Sequence, residues 1–378
     1  MSRPAPFTFY ELFCGGGMAR TGLGPNWSCL FANDLDPDKA RAYRANFGDS
    51  DLKVADVWDL TTADLPGRAD LAWASSPCQD LSLAGARRGL SGARSSAFWG
   101  FWTLIEALDR EGRAPRTIGI ENVSGLLTSH EGRDFTALCG ALAERGYAFG
   151  ALEIDAALYL PQSRPRLFVL ATREPAAASL CGRPGAFHTL AVRKAFERLP
   201  AEIQRQWRWW PLPTPARRNT TLADVLEPDD AVAWLDPAKT ARLIGQMAEV
   251  HRRKLDAARA AGGRQVGTAF RRTRMENGAR VQRAEARFDG VAGCLRTPTG
   301  GSSRQFVLVV QDGEVRARLM TPREAARLMG LPDDYRLPGS ATAGLYLTGD
   351  GVVAAVVRSL AAHIIEPLLT GRESAAAA

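Results

Sequence analysis

The chain has 378 residues and a formal net charge of +7, with 46% apolar and 24% charged residues, enough for two domains or one large domain carrying an insertion. No window approaches the roughly 18 uninterrupted apolar residues of a membrane helix, and the N-terminus lacks a signal-peptide pattern, so a cytoplasmic location is expected. Cys14, Cys29, Cys78, Cys139, Cys181 and Cys294 form no Cys-x-x-Cys pair, which argues against a zinc knuckle and a disulfide scaffold; reduced thiols and no metal are expected.

Phe7 to Phe13 reads as a strand, and Cys14-Gly15-Gly16-Gly17 turns the chain into a helix beginning near Met18. Glycines there let the backbone approach a ligand, while the helix start offers free N–H groups. Arg20 stands where a dinucleotide fingerprint has its third glycine, which disfavours a pyrophosphate-bearing cofactor. A second strand, Cys29 to Ala32, ends at Asn33-Asp34-Leu35-Asp36, and a third, Leu52 to Ala55, ends at Asp56. Each acid alone also reads as a helix cap or a turn residue. Three successive strands ending in a glycine loop, an acid and an acid look like an adenosine pocket.

The mostly apolar run Asp70 to Ala74 stops at Ser75-Ser76-Pro77, which places Cys78 on the loop at the carboxyl end of a buried strand. Open α/β sheets put their active sites there. A thiol on such a loop, with Arg87, Arg88 and Arg94 following, is a candidate nucleophile, although it also reads as a small buried apolar residue. An apolar helix over Ala97 to Leu108 precedes the strand Thr117 to Ile120, which runs into Glu121-Asn122-Val123. Strands over Tyr147 to Ile154 and Leu167 to Ala171 flank Pro161-Gln162-Ser163-Arg164-Pro165-Arg166. The alternation predicts an α/β fold with a doubly wound, mostly parallel sheet.

That regularity ends near Arg173, and the charge distribution changes with it. Residues 173–320 hold 26 Lys/Arg against 15 Asp/Glu, a net +11, leaving 22 against 26, or −4, elsewhere. A basic middle third suggests a polyanion surface, and nucleic acid is the commonest such partner. Pro-rich breaks, the clusters Arg252-Arg253-Lys254 and Arg271-Arg272, and the turn Thr297-Pro298-Thr299-Gly300-Gly301 predict a separate domain over 174–316, inserted before the first domain resumes at 317–378. Trp207, Trp209 and Trp210 are candidates for base stacking, but aromatic clusters are more often core. Thr321-Pro322-Arg323-Glu324 starts a helix with proline in its first turn, and an apolar helix spans Val352 to Ile365.

In their order, these stretches resemble the cytosine-C5 DNA methyltransferases. The resemblance rests on Glu11 to Gly17, Asn33 to Asp36, Asp56, Pro77-Cys78-Gln79-Asp80-Leu81-Ser82, Glu121-Asn122-Val123, Gln162 to Arg166 and Thr321 to Gly330. It implies a Rossmann-like methyltransferase sheet (1–173 and 317–378) with a smaller inserted target-recognition domain (174–316), S-adenosylmethionine as cofactor and double-stranded DNA as partner. It implies a bacterial or phage setting near the nucleoid, a monomer, and possible company of a restriction endonuclease acting on the same site without contact. A tRNA cytosine methyltransferase, or a member transferring a modified group, is left open by the catalytic residues.

The chemistry explains the residue types. Cytosine C5 is too weak a nucleophile to take a methyl group directly, but a thiolate adding at C6 produces an enamine that can. The resemblance assigns that thiolate to Cys78, the protonated carboxyl that meets the base's N3 to Glu121, and the grip on the base's carbonyl oxygen to Arg164. Pro77, Gln79, Asn122, Gln162 and Arg166 would brace the site. Phe13, Gly15 and Gly17 would lie under the cofactor, with Asp34 on the ribose hydroxyls, Asp56 on the adenine amino group, and Asp350 facing cofactor and base. Ser82, Arg271, Arg272, Gly300 and Gly301 would meet DNA, phosphate contacts positioning and base contacts specifying. Two departures stand out: Gly349-Asp350-Gly351-Val352 replaces the family's Gly-Asn-Ser/Ala-Val, and Cys294-Leu295 replaces its Thr-Leu.

Overall fold

The computed structural model describes residues 6–77, 97–276, 278–298 and 304–371. It divides into two compact units: Met1–Ile154, Pro165–Thr214 and Val352–Ala378 form the first, Asp155–Arg164 and Pro215–Gly351 the second. The first unit runs, in chain order, β1 (Phe7–Leu12), α1 (Met18–Leu23), β2 (Trp27–Asp34), α2 (Pro37–Phe47), β3 (Leu52–Val54), β4 (Leu71–Ala74), α3 (Ala97–Arg110), β5 (Thr117–Asn122), α4 (Arg133–Glu144), β6 (Ala148–Asp155), β7 (Pro165–Thr172), α5 (Leu190–Glu197) and α6 (Ala201–Gln204).

Its seven strands form one sheet in the order β3-β2-β1-β4-β5-β7-β6. The ladders β1–β2, β2–β3, β1–β4 and β4–β5 are parallel, and β7 runs antiparallel to β5. The continuous apolar run Leu71-Ala72-Trp73-Ala74 is buried throughout, as a central parallel strand covered on both faces requires. Strand order reverses between β1 and β4, so the loops after these two strands flank the topological switch point, where α/β sheets bind ligands. Phe98, Phe101, Trp102, Ile105 and Leu108 of α3 pack on Tyr10, Leu12, Ala72 and Ala74 to form the main core.

Two expected boundaries move. Residues 174–214 belong to the first unit because their aromatics are core: Trp207 packs edge-on against Phe135 and Phe149, and Trp210 is fully buried with its indole N–H donating to Leu170 O at 3.0 Å. The inserted unit therefore opens at Pro215 rather than 174. It also keeps residues 317–351, expected in the return segment, because Arg318 on one element and Glu324 on the next form a fully buried ion pair at 2.5 Å.

The second unit contains α7 (Pro237–Gly245), α8 (Glu249–Ala260), β8 (Gln265–Glu276), β9 (Ala279–Arg287), β10 (Gln305–Gln311), β11 (Glu314–Leu319), α9 (Pro322–Leu328) and α10 (Ala341–Asp350). Its antiparallel sheet has the order β11-β10-β8-β9. Small residues Ala269, Ala284, Ala286 and Ala317 let Leu243, Leu255 and Ala258 of α7 and α8 close over one face. β10 pairs with β8 only from Gln265 to Phe270, so the β8–β9 hairpin continues beyond it as a two-stranded ribbon. After Gly351 the chain re-enters the first unit through α11 (Ala354–Leu360) and α12 (Glu366–Thr370). α1 meets α11 at Gly22, where an added Cβ would come within 2.5 Å of Ala354 O. The apolar stretch Ala341–Thr370 is long enough to cross a membrane, but it breaks at 351–353 and 67% of its most apolar window is buried in the protein.

Candidate active site

The site of the first unit starts at the loop after β1. Phe13, Gly15 and Gly17 have φ of 57°, 55° and 77°, a left-handed path that two glycines make accessible. The glycines differ in purpose. Gly15 has open space where its Cβ would be, whereas a Cβ on Gly17 would lie 2.4 Å from the Phe47 ring of α2. Gly17 thus serves packing between elements, and Gly15 is the one that leaves room for a ligand.

Asp34, at the end of β2, accepts the Gly15 N–H and the Asp36 N–H, each at 2.8 Å, so the acid braces the glycine loop as well as facing it. Burial raises its pKa, opposed by those N–H groups. Asn33 donates to Lys53 O at 3.0 Å and Ala55 O at 2.9 Å, fastening β3 and the approach to Asp56. Asp56 in turn accepts the Trp58 N–H at 3.0 Å. Because β3, β2 and β1 are neighbours, Asp56, Asp34 and the glycine loop stand side by side at their carboxyl ends, with Leu35 65% exposed beside them. Open space at Gly15, two carboxylates and an exposed apolar side chain fit an adenosyl group with ribose hydroxyls and an exocyclic amine.

Farther along the same edge, Glu121 and Asn122 close β5, both buried. The Glu121 carboxylate lies 3.1 Å from Nε of Arg166 on β7. This pairing follows from the antiparallel register, which sets Glu121 opposite Phe168 and Asn122 opposite Leu167. Asn122 donates toward Ser76 O and Ser76 Oγ at 3.4 Å and accepts the Val123 N–H at 2.9 Å, so it ties the loop after β4 to the end of β5. Pro77 is exposed on that loop; Cys78, Gln79 and Ser82 lie outside the described residues.

Arg164, expected to grip the base, belongs to the second unit and is committed to partners within it. The side chain is 2% exposed. Nη1 donates to Leu295 O at 2.9 Å and toward Cys294 Sγ at 3.5 Å; Nη2 donates to Gly349 O at 2.9 Å and Gly351 O at 2.8 Å. All four terminal N–H groups are thereby engaged by the protein. Gln162, fully buried, accepts the Leu295 N–H at 3.2 Å and donates to Leu328 O at 2.7 Å. Gln305 accepts the Gly293 N–H at 2.7 Å. After the backbone bridge of Ala292 to Pro161 and Ser163, the backbone of Gly293 and Leu295 is thus held by side-chain amides and a guanidinium where a strand would use a ladder.

Asp350 is exposed at the end of α10, and the carbonyls on either side of it are the two that Arg164 holds. On the ribbon, Arg271 lies over the Phe306 ring at 5.1 Å and Arg272 pairs with Glu285 at 3.1 Å, so both are partly committed to the protein. Gly300 and Gly301 lie outside the described residues. Among the described residues, no cluster of three or more His, Cys, Asp or Glu could hold a metal ion. Gln-x-Arg-x-Arg in the sequence does not say which arginine meets Glu121; the strand phase, with Pro165 starting β7, is the signal that selects Arg166.

A sheet with this strand order, an adenosyl-shaped set of strand ends and a carboxyl–guanidinium pair at the next strand define a Rossmann-like methyltransferase. The model of the C-5 cytosine-specific DNA methylase family matches residues 7–366, and the chain belongs to that family. It is 27% identical over 385 residues to the type II methyltransferase M.HpaII of Haemophilus parainfluenzae, covering 96% of this chain and 90% of that protein. M.HhaI of Haemophilus parahaemolyticus is 24% identical, covering 94% of this chain and 93% of that one. The S. pombe Dnmt2 methyltransferase structure superposes with a TM-score of 0.59 at 18% identity, over 96% of this chain and 99% of its own, a likeness of fold. The protein is a DNA (cytosine-5-)-methyltransferase that uses S-adenosylmethionine as methyl donor.

Proposed function

We propose that the enzyme flips a target cytosine out of double-stranded DNA and methylates C5 after addition of the Cys78 thiolate to C6. The reacting atoms are inaccessible inside a duplex, so the base must leave the stack. Cys78 Sγ bonds to C6 while Glu121 delivers a proton to N3, which makes C5 an enamine carbon. S-adenosylmethionine, when bound, supplies a methyl group on a positively charged sulfur. C5 takes that methyl and loses its proton to solvent, the C6–S bond breaks to return the thiolate, and N3 gives its proton back to Glu121, which restores the ring and the acid. Phe13 and Gly15 would lie under the donor, Asp34 would hold its ribose hydroxyls and Asp56 its adenine amine.

The observation that carries this reading is the buried Glu121 carboxyl held at 3.1 Å by Arg166, beside the Asn122 that anchors the loop leading to Cys78. A guanidinium fixes the carboxyl's orientation with charge-assisted hydrogen bonding. Arg166 is therefore the arginine assigned to the reacting base, and Arg164 becomes a brace. The second unit, with its basic ribbon, would position phosphates and read base edges; the enzyme would act as a monomer, with or without a restriction endonuclease of the same specificity. Base-resolution sequencing of DNA from a methylation-free host expressing the protein tests this. One sequence context carrying 5-methylcytosine is expected. Modification found only in RNA, or a transferred group heavier than methyl, would overturn it.

A further inference from the structure

Glu11 is a buried acid that the methyl-transfer scheme does not use. It lies on β1, 1% exposed, and its Oε2 has no hydrogen-bond partner. Its titratable and hydrogen-bonding neighbours come from its own loop, α1, β2, α2 and the turn after α2, while β4 sets the apolar Trp73 opposite it. Cys14 lies on its own loop, and the N–H groups of Ala19 and Arg20 and the Arg20 guanidinium face it from α1. Cys29 comes from β2, Tyr43 from α2 and Asp51 from the following turn.

Arg20 is the sole cation in this set, and it is already spent. Its Nη1 donates to Asp51 and to the Tyr43 hydroxyl, both at 2.6 Å, and the guanidinium covers the Phe47 ring at 4.6 Å. A charged Glu11 would add a second buried anion beside Asp51 with no cation of its own, a costly arrangement in a low-dielectric interior. Cys14 neighbours both Glu11 and Asp34, and Asp34 holds the Gly15 N–H. Glu11 therefore sits one layer beneath the loop that leaves room for the cofactor.

We propose that Glu11 is the neutral acid in the cofactor-free protein and ionises when the positively charged methyl donor binds above it. The carboxyl proton leaves to solvent, and the anion is then matched by the sulfonium charge. After methyl transfer the sulfur is neutral, so Glu11 recovers its proton and the product loses that attraction. The acid thereby discriminates donor from spent product by charge. Burial, against the pull of Arg20, pushes the Glu11 carboxyl up to about 8, where the exchange falls at physiological pH. The inference rests on the cofactor lying at the Phe13–Gly17 loop.

Calorimetric titration of the full chain with S-adenosylmethionine and with S-adenosylhomocysteine, in buffers of different ionisation enthalpy, counts the protons. Near pH 7, where an acid of pKa about 8 is still mostly protonated, wild type should release roughly half a proton or more with the donor than with the product. From pH 6.5 to 8.5 its donor affinity should rise at least about fivefold relative to Glu11→Gln, since one linked proton permits at most tenfold per pH unit. The donor's own ammonium titrates alike in both proteins and cancels. Identical proton counts and pH profiles in wild type and Glu11→Gln would overturn the proposal, provided Asp56→Ala has weakened donor binding. An Asp56→Ala protein with undiminished affinity would instead show that the cofactor lies elsewhere, and the proposal falls with that placement. Cofactor-free Glu11→Gln, isosteric with the neutral acid, should be at least as stable as wild type at pH 8. Lower stability there would mark Glu11 as an ionised structural group and refute the idea.

Discussion

Removing the Arg164 guanidinium separates a brace from a base contact. In Arg164→Met the carbonyls of Leu295, Gly349 and Gly351 lose their donors in a site where the arginine is 2% exposed. A buried polar group left without a partner costs about 1–3 kcal/mol, so three of them, with partial relaxation, cost roughly 4 kcal/mol. At a urea dependence of about 2–3 kcal/mol per molar, the unfolding midpoint should fall by about 1.3–2 M. Arg164→Lys should recover less than half of this, because three donors radiating from one nitrogen cannot span the four acceptors of a planar fork. Urea unfolding followed by circular dichroism gives the midpoint, and single-turnover methylation under native conditions gives the chemical step. An Arg164→Met protein that keeps the wild-type midpoint while methyl transfer drops about 10²–10³-fold, the loss seen when a group stabilising the transition state is removed, would show that Arg164 contacts the base and is no brace.

Other consequences are as direct. Glu121→Gln should lower methyl transfer at least about 10²-fold with DNA affinity nearly unchanged, since proton delivery is lost and the site remains filled; gel-shift and single-turnover assays together check it. Cys78→Ala should abolish transfer, and DNA carrying 5-fluorocytosine should trap wild type covalently in the presence of cofactor, with no adduct from the variant on denaturing gels. Glu324→Ala strands the fully buried Arg318 and should cost about 3–5 kcal/mol, whereas replacing the pair by Met and Leu should be close to neutral, as thermal unfolding of both proteins would show. Burial lowers the His188 pKa to about 4, so its folded value lies below the unfolded 6.5. Stability should therefore fall as the pH drops from 6.5 to 4, by up to about 1.4 kcal/mol per unit, and this slope should be reduced in His188→Asn.

The strands at the front of the sheet were legible because a buried parallel strand writes itself as an apolar run ending at a turn residue: Phe7–Leu12, Leu71–Ala74 and Thr117–Asn122 all do so. Asp34 closes β2 and Asp56 stands two residues past β3, so the strand ends on which the cofactor expectation rests lie where the sequence put them. The domain edge was not legible. Proline and tryptophan around Trp210 resemble a linker in sequence, and the packing of Trp207 and the Trp210 indole on Leu170 O show that this stretch is core. Nor could composition tell Arg164 from Arg166. Both are arginines two residues apart, and they separate only because β7 begins between them and carries the second onto Glu121. Glu11 read as part of a motif, while its lack of a cation of its own depends on Arg20 being drawn to Asp51, thirty-one positions away.

The way the segment 292–297 is held has a consequence for engineering. Leu295 donates its N–H to Gln162 and accepts the Arg164 guanidinium at its carbonyl, side chains that lie more than 120 positions earlier yet within the same compact unit. A chimera that exchanges residues 215–351 for those of another enzyme, and leaves 155–164 behind, transplants a tenon without its mortise. Grafts intended to move sequence preference between such enzymes should carry both segments together.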